Sequence, residues 1–280
     1  MTRQHLPESG WQAVRANGLD IAFFEAGEGP LLILQHGFPD TPHTWDDVTP
    51  ALVDAGFRVV RPFGRGIHPS EKPPDDAFSA KDLAGDLVAL IDALDAETAT
   101  IVGHDWGALA AWGAGYMAPE RIDKLITVAI PHPGTLRLPL SRAWSFRHFI
   151  ANRLPWAERR FRANDFGEIR KMYERWSPGF SWPESEFEAA KNAYAWPGCL
   201  DAAMGYYRRL GGWPFAGDLT VETLVIGGET DGVATVEDFK RSRRRISAPC
   251  TIEILPGGHF LHREHPEPFL STVLKFLCPQ

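Results

Sequence analysis

The chain has 280 residues, enough for one large domain or for a domain that carries an insertion. With 44% apolar and 23% charged residues, its composition excludes a collagen-like or a disordered protein. The formal charge of −7 argues against a nucleic-acid partner, because phosphate binding draws its affinity from a basic face. We therefore expect a small, neutral or apolar substrate.

The N-terminal residues and the lack of a long apolar run predict a cytoplasmic protein without a membrane partner. Residues 1–10 are polar and lack the apolar centre of a secretory signal, and no apolar run approaches the roughly 18 residues of a membrane span. The cysteines are Cys199, Cys250 and Cys278, an odd and scattered set that predicts free thiols. The sequence leaves the oligomeric state open, a homodimer included.

The first half of the chain alternates between strand-like and helix-like segments. Four short apolar runs have the length of buried strands, at 31–35, 58–61, 99–102 and 126–130. The clearest helix between them starts at Ser79, where Asp82 completes a capping-box-like signal and leucines recur on one face. This alternation predicts an α/β protein built from right-handed βαβ units, with a doubly wound and mostly parallel sheet.

An inserted segment follows. From about Gly134 to Gly217 the chain has helix-like stretches rich in Arg and Trp and no convincing strand. Strand-like runs resume at 223–226 and 251–255, with a polar helix over 236–245 and a closing helix over 266–278. We therefore predict a core made of residues 1–133 and 218–280, with a helical cap over 134–217. Its six tryptophans either cover an apolar cavity or form the cap's own core: Trp144, Trp156, Trp176, Trp182, Trp196 and Trp213.

The most informative residue is Asp105. It lies between Gly103 and Gly107, where a predicted strand ends and a helix of small residues begins. This strand, turn and helix is the setting of a nucleophile elbow. A tight turn with an Asp at the helix N-cap would give the same sequence pattern. The interpretation as an elbow therefore depends on partner residues elsewhere in the chain.

A carboxylate at this elbow determines which chemistry is feasible. Attack of Asp105 on an ester carbonyl would give a high-energy anhydride, whereas displacement at a saturated carbon gives an ordinary alkyl ester. Water must then attack the carbonyl carbon of that ester, which requires a general base and an oxyanion hole. The sequence therefore predicts alkylation followed by hydrolysis.

The predicted base is His259, on the loop after the last strand and before the closing helix. Asp231, just beyond the preceding strand, is predicted to orient its imidazole, with Glu229 as the rival acid. The order of nucleophile, acid and histidine along the chain is the one that accompanies a nucleophile elbow. The backbone N–H groups of Phe38 and Trp106 are the candidates for the oxyanion hole, although the string at 36–39 would also suit a plain turn.

No cofactor or metal is expected. His262 and His265 have a spacing that invites a metal site, but nothing nearby in the sequence completes a ligand set. The glycines at 27 and 29 precede a strand, whereas a phosphate-binding loop leads into a helix.

Taken together, five motifs resemble those of the α/β-hydrolase epoxide hydrolases and of the neighbouring haloalkane and haloacetate dehalogenases. The similarity spans nearly the whole chain and implies the α/β-hydrolase fold. The motifs are Gly103-His-Asp-Trp-Gly107, His36-Gly-Phe-Pro39, Pro131-His-Pro133, Gly228-Glu-Thr-Asp231 and Gly258-His259.

Three positions distinguish the epoxide hydrolases from the dehalogenases that these motifs also resemble. Epoxide hydrolases use cap tyrosines to protonate the ring oxygen, and Tyr207, directly before Arg208, matches the second of them. A buried packing role would also explain an aromatic residue there. Haloalkane dehalogenases usually have Asn where this chain has Phe38, and fluoroacetate dehalogenases usually have Arg where it has Trp106. The resemblance thus favours an epoxide, opened by Asp105.

One departure leaves alternatives open. Near the start of the cap, where relatives have the first tyrosine or a histidine, this chain has no Tyr, and His148 is the candidate replacement. Asp40 lies where relatives have an acid that helps to place water, although a solvated turn residue would suit that position equally. The alternatives to an epoxide hydrolase are a hydrolytic dehalogenase and a non-catalytic binding protein that retains the fold.

Overall fold

The structure, a computed structural model, describes residues 10–137 and 147–278. Its centre is an eight-stranded sheet in the order β1-β2-β4-β3-β5-β6-β7-β8. The first two strands pair antiparallel, β2 pairs antiparallel with β4, and all other pairs are parallel. The strands are β1 (Gln12–Ala16), β2 (Leu19–Ala26), β3 (Leu31–Gln35), β4 (Arg58–Pro62), β5 (Ala99–His104), β6 (Ile122–Val128), β7 (Thr223–Gly228) and β8 (Cys250–Leu255).

The central parallel strands are apolar because helices cover both faces of the sheet. Every residue of β3, β5 and β7 is buried. The predicted strand positions are confirmed, apart from the bounds of β6, which starts four residues earlier than predicted and ends at Val128. The predicted doubly wound, mostly parallel sheet is likewise confirmed.

Eleven α-helices occur in the two described ranges. They are α1 (Thr49–Asp54), α2 (Ala80–Ala93), α3 (Trp106–Met117), α4 (Arg147–Ala151), α5 (Ala157–Arg162), α6 (Gly167–Trp176), α7 (Glu184–Ala195), α8 (Cys199–Arg209), α9 (Val236–Arg241), α10 (Leu261–Glu264) and α11 (Pro266–Leu277). The capping box at the start of α2 is confirmed: Ser79 Oγ accepts from the Asp82 N–H, and the Ser79 N–H donates to Asp82 Oδ2. Among the described residues, no helix is long and apolar enough to cross a membrane.

Helices α4 to α8 lie between β6 and β7, and we call residues 147–217 the cap. No strand occurs in that range. Its tryptophans differ in their surroundings: Trp176 is fully buried, Trp156 and Trp196 are about half exposed, and Trp213 lines a cavity. Trp144 lies outside the described residues. The tryptophans therefore have no common role, and the division of the chain at 134 and 217 stays a prediction.

Candidate active site

Asp105 lies on a sharp turn between β5 and α3. Its backbone has φ 51° and ψ −118°, a strained conformation for a residue with a side chain. The flanking glycines allow this turn, because a Cβ on Gly103 would lie 2.2 Å from the Gly107 carbonyl oxygen, and one on Gly107 would lie 2.2 Å from that of Gln35. The turn thus presents the Asp105 carboxylate above the carboxyl end of the sheet.

His259 lies between two carboxylates and is completely buried. Its Nδ1 is 3.0 Å from Asp231 Oδ2, and its Nε2 is 3.3 Å from Asp105 Oδ2. Asp231 is held in turn, since its Oδ1 accepts from the backbone N–H groups of Val233 (2.7 Å) and Ala234 (3.1 Å). The structure therefore brings together the three residues that the sequence singled out.

The rival acid takes no part in this arrangement. Glu229 is exposed, whereas the side chain of Asp231 is fully buried against His259. The imidazole therefore has one acid at Nδ1, and that acid is Asp231.

The two carboxylates determine the charge of His259. Burial alone would lower its pKa, but the negative charges and hydrogen bonds of Asp231 and Asp105 outweigh burial and raise the pKa to about 10. Burial would raise the pKa of Asp105, yet the hydrogen bond and charge of His259 bring it below the ordinary value. At neutral pH the resting site therefore holds an imidazolium paired with an ionised Asp105 and hydrogen-bonded to Asp231.

A backbone donor already binds the predicted nucleophile, Asp105. The Phe38 N–H donates to Asp105 Oδ1 at 2.9 Å, which leaves Oδ2 on the side of His259. Gly37 has to be glycine, because a Cβ there would lie 2.4 Å from the Cβ of Asp105. Trp106 is the first residue of α3, where a backbone N–H has no partner within its own helix. The Phe38 N–H thus binds the carboxylate, and the part of the Trp106 N–H in an oxyanion hole stays a prediction.

A cavity of about 540 Å³ lies between Asp105 and the cap. Tyr207 on α8 is buried in its wall, with its ring 4.9 Å from that of Trp106. Burial, and then the charge of Asp105, raises the pKa of Tyr207, so its hydroxyl keeps its proton. His148 on α4 is buried in the same wall, 6.2 Å from the Tyr207 ring between centroids. Both predicted cap residues therefore face the space above Asp105.

The sequence model of the α/β hydrolase fold family matches residues 30–266 of this chain. The chain belongs to the α/β-hydrolase family. This α/β-hydrolase is 31% identical to AB hydrolase superfamily protein YfhM of Bacillus subtilis, over 96% of this chain and 98% of that protein. It is 29% identical to Epoxide hydrolase A of Mycobacterium tuberculosis, over 94% and 96% of the two chains.

The solved structure of Epoxide Hydrolase A from Mycobacterium thermoresistibile has the same fold. The TM-score is 0.82 at 24% identity, and the match covers 96% of this chain and 98% of the other. The α/β-hydrolase fold and the resemblance to epoxide hydrolases that the sequence indicated are thus confirmed.

In this α/β-hydrolase, Asp40 is part of a buried ion cluster. Its Oδ2 accepts from Arg263 Nη1 at 2.8 Å, and Arg263 also pairs with Glu186 on α7. Burial opposes ionisation of Asp40, but Arg263 and the neighbouring hydrogen bonds bring its pKa below the ordinary value. Asp40 therefore remains a carboxylate, and its role in placing water stays a prediction.

The structure groups His262 with different partners from those its sequence spacing suggested. Ligand atoms of Asp40, His104 and His262 lie within 4.8 Å of one another, and His265 is not part of this group. His262 Nε2 lies 2.6 Å from the Thr44 hydroxyl. The fixed positive charge of Arg263 on Asp40 opposes a metal cation here, so the cluster is better explained as part of the buried polar network.

Sequence reasoning missed the groups that hold the His259 loop in place. The Trp176 carbonyl oxygen accepts from the His259 N–H at 2.9 Å. Glu264 accepts from the Gly258 N–H at 2.9 Å and from the Ser177 hydroxyl at 2.6 Å. A backbone carbonyl leaves no trace in a sequence, and only the charge of Glu264, at the end of the short helix α10, could have drawn attention to this loop. The position of the His259 loop therefore depends on contacts from the end of α6.

Proposed function

We propose that this α/β-hydrolase adds water to epoxides, giving vicinal diols, through a covalent alkyl ester on Asp105. The observation that carries the proposal is an ionised carboxylate at the elbow, with His259 at its Oδ2 and the protonated Tyr207 in the same cavity wall. The named epoxide hydrolase relatives support the same substrate class. The proposed substrate is a small, neutral or apolar molecule.

The first half-reaction uses Asp105 and Tyr207. Asp105 Oδ2 attacks a ring carbon, the C–O bond of the ring breaks, and the ring oxygen takes a proton that Tyr207 donates. The Phe38 N–H binds Oδ1, which becomes the ester carbonyl oxygen, and the attacking oxygen is Oδ2, 3.3 Å from His259 Nε2. His148 lines the same cavity and is the second candidate donor. The product of this step is a hydroxyalkyl ester of Asp105.

The second half-reaction uses His259 and the oxyanion donors. Once esterification has removed the charge of Asp105, His259 gives up the proton that it holds at rest, which replaces the proton that Tyr207 donated. Neutral His259 then takes a proton from water, whose oxygen adds to the ester carbonyl carbon, while the Phe38 and Trp106 N–H groups stabilise the negative oxygen. When the acyl–oxygen bond breaks, the departing alkoxide takes the proton of the new carboxyl group. The diol leaves, Asp105 is again a carboxylate and His259 is again an imidazolium, as in the resting site.

A substrate screen tests the proposal. Styrene-type, aliphatic and cyclic epoxides should be converted to diols, and haloalkanes should release no halide. Halide release without diol formation would instead assign the protein to the dehalogenases. Absence of any covalent chemistry would favour the binding protein.

Removing the Tyr207 hydroxyl should slow ring opening. Tyr207→Phe should lower the single-turnover rate of alkylation by roughly 10²- to 10⁴-fold, since an epoxide oxygen departs poorly without a proton. The matched control is Tyr206→Phe, which removes the neighbouring hydroxyl on α8 that donates to the Arg65 carbonyl oxygen at 2.8 Å. Equal rates for Tyr207→Phe and wild type on every epoxide would move the donor role to His148.

The two half-reactions should differ in pH dependence. Alkylation needs an ionised Asp105, whose pKa is lowered, and a protonated Tyr207, whose pKa is raised. The alkylation rate should therefore stay constant from about pH 5 to about pH 9, a range that lies between the ordinary pKa values of Asp and Tyr. Hydrolysis needs neutral His259, and the pKa of about 10 must fall once esterification removes the charge of Asp105. The hydrolysis rate should therefore rise with pH until that lowered pKa is passed.

Stopped-flow tryptophan fluorescence can follow both steps, because Trp106 adjoins the nucleophile. The contrary result would be an alkylation rate that rises with pH in parallel with hydrolysis. His259 would then act as a base in both steps.

A further inference from the structure

The cavity above Asp105 is much larger than an epoxide ring. Its volume of about 540 Å³ falls in the range of about 300–1,000 Å³ for pockets that hold drug-sized molecules. The ring itself needs only the space next to Asp105 and Tyr207. Most of the cavity therefore has to hold the substituents of the ring.

The rest of the wall is apolar. On the core side it consists of Leu109, Ile130, Pro133, Leu136 and Val233, and on the cap side mainly of Phe149, Ile150, Leu210 and Trp213. Arg153 is the charged exception among the cap-side residues. Two of its nitrogen atoms are bound to the carbonyl oxygens of Tyr207 and Leu210, at the end of α8. Its guanidinium thus holds the cap wall in place.

The cavity opens to solvent between α4 and the segment after α8. Ile150 lines the cavity and is 70% exposed, and Gly211 and Gly212 line it and are exposed as well. A Cβ on either glycine would meet nothing within 4 Å, and neither has a positive φ. Backbone conformation therefore does not require glycine here. What the two glycines provide is an opening that side chains would narrow.

We propose that the site takes epoxides with a large apolar substituent, which extends from Asp105 to the opening between Ile150 and the Gly211–Gly212 pair. The glycine pair sets the size limit of that substituent. This inference rests on the proposed epoxide hydrolysis and adds to it both a substrate class and the residues that select it. A polar substituent would lose its water against the apolar wall without gaining hydrogen bonds in return.

The test compares two terminal epoxides, propylene oxide and octene oxide. The ratio of kcat/KM for octene oxide over propylene oxide should fall roughly tenfold or more in Gly211→Val, in Gly212→Val or in the double variant. Gly167→Val is the matched control, since Gly167 starts α6 away from the cavity wall, and a Cβ there makes only an ordinary contact of 3.6 Å. Its ratio should equal that of the wild type.

Ile150→Trp narrows the opening from the other side and should lower the same ratio. Since Ile150 is mostly exposed, this variant keeps the test decisive if a glycine variant fails to fold. Ratios equal to wild type in Ile150→Trp and in the folded glycine variants would overturn the inference.

Binding of the product diols separates this inference from the proposed function. Tryptophan fluorescence should report tighter binding of vicinal octanediol than of propanediol, and the narrowing variants should weaken octanediol binding selectively. This readout needs no turnover. Selective binding without conversion of any epoxide would refute the proposed function and retain the apolar cavity. Conversion of both epoxides with no preference for octanediol would refute the inference about the apolar substituent and leave the proposed function intact.

Discussion

The His259→Gln protein, incubated with an epoxide, should gain the mass of one substrate molecule per chain. Asp105 needs no base to attack, whereas hydrolysis of its ester needs water activated by His259. The cycle should therefore stop at the covalent intermediate. Intact-mass measurement should show the gain, and peptide mapping should place it on Asp105. If the protein were a dehalogenase, a haloalkane would instead add its alkyl group without the halogen, so the same measurement reports the leaving group.

Three control variants accompany this experiment. His259→Gln combined with Asp105→Ala should gain no mass, and Asp105→Ala alone should turn over nothing while remaining folded. Glu229→Gln, which changes the exposed acid near Asp231, should turn over like the wild type. An adduct on His104 or on a cysteine would relocate the nucleophile. An unmodified His259→Gln protein that demonstrably binds the substrate would contradict covalent catalysis.

The parts of this protein that the sequence predicts are those with a local signal. Strands such as β3 and β5 are uniformly apolar because both faces of the sheet are covered, and the capping box at Ser79 lies within four residues. The elbow at Asp105 needs glycines at fixed offsets, because backbone oxygens of the adjacent segments lie where their Cβ atoms would be. Local steric requirements of this kind leave a pattern in the chain.

What the sequence does not reveal depends on contacts between distant residues. The Trp176 carbonyl oxygen that holds His259 belongs to a helix end 83 residues earlier in the chain. The tryptophans of the cap illustrate the same limit, since composition alone could not distinguish the cavity-lining Trp213 from the exposed Trp156. Both depend on how the cap helices pack on the core, which hydrophobic periodicity does not specify.

The role of Arg263 also depends on contacts between distant residues, and it has the largest expected consequence for stability. Its side chain is 3% exposed and lies between Asp40, on the loop after β3, and Glu186 on α7. It also donates to the Tyr173 hydroxyl at 3.0 Å. In sequence it is one of 29 Lys and Arg residues. In the structure it is the positive charge between two buried carboxylates, one from the core and one from the cap.

Arg263→Leu should lower the free energy of unfolding by about 3–5 kcal/mol, because it leaves buried carboxylates without their counter-charge. The loss should shrink as pH falls. Without Arg263, burial raises the folded-state pKa of Asp40 above the unfolded value, so the folded variant takes up a proton first and gains stability on acidification. Denaturant unfolding at about pH 5 and about pH 7.5 measures both effects, given that unfolded carboxyls titrate near 4.

The control for this experiment is Lys171→Leu. Lys171 pairs with Glu168 on the surface of the cap and is 62% exposed, so its loss should change the free energy of unfolding by less than about 0.5 kcal/mol. An Arg263→Leu protein as stable as this control would show that the buried cluster contributes no net stability. A loss that stayed constant with pH would show instead that the two carboxylates find other partners when Arg263 is removed. If both measurements agree with these expectations, they identify Arg263 as the charge that joins the cap to the core beside the His259 loop.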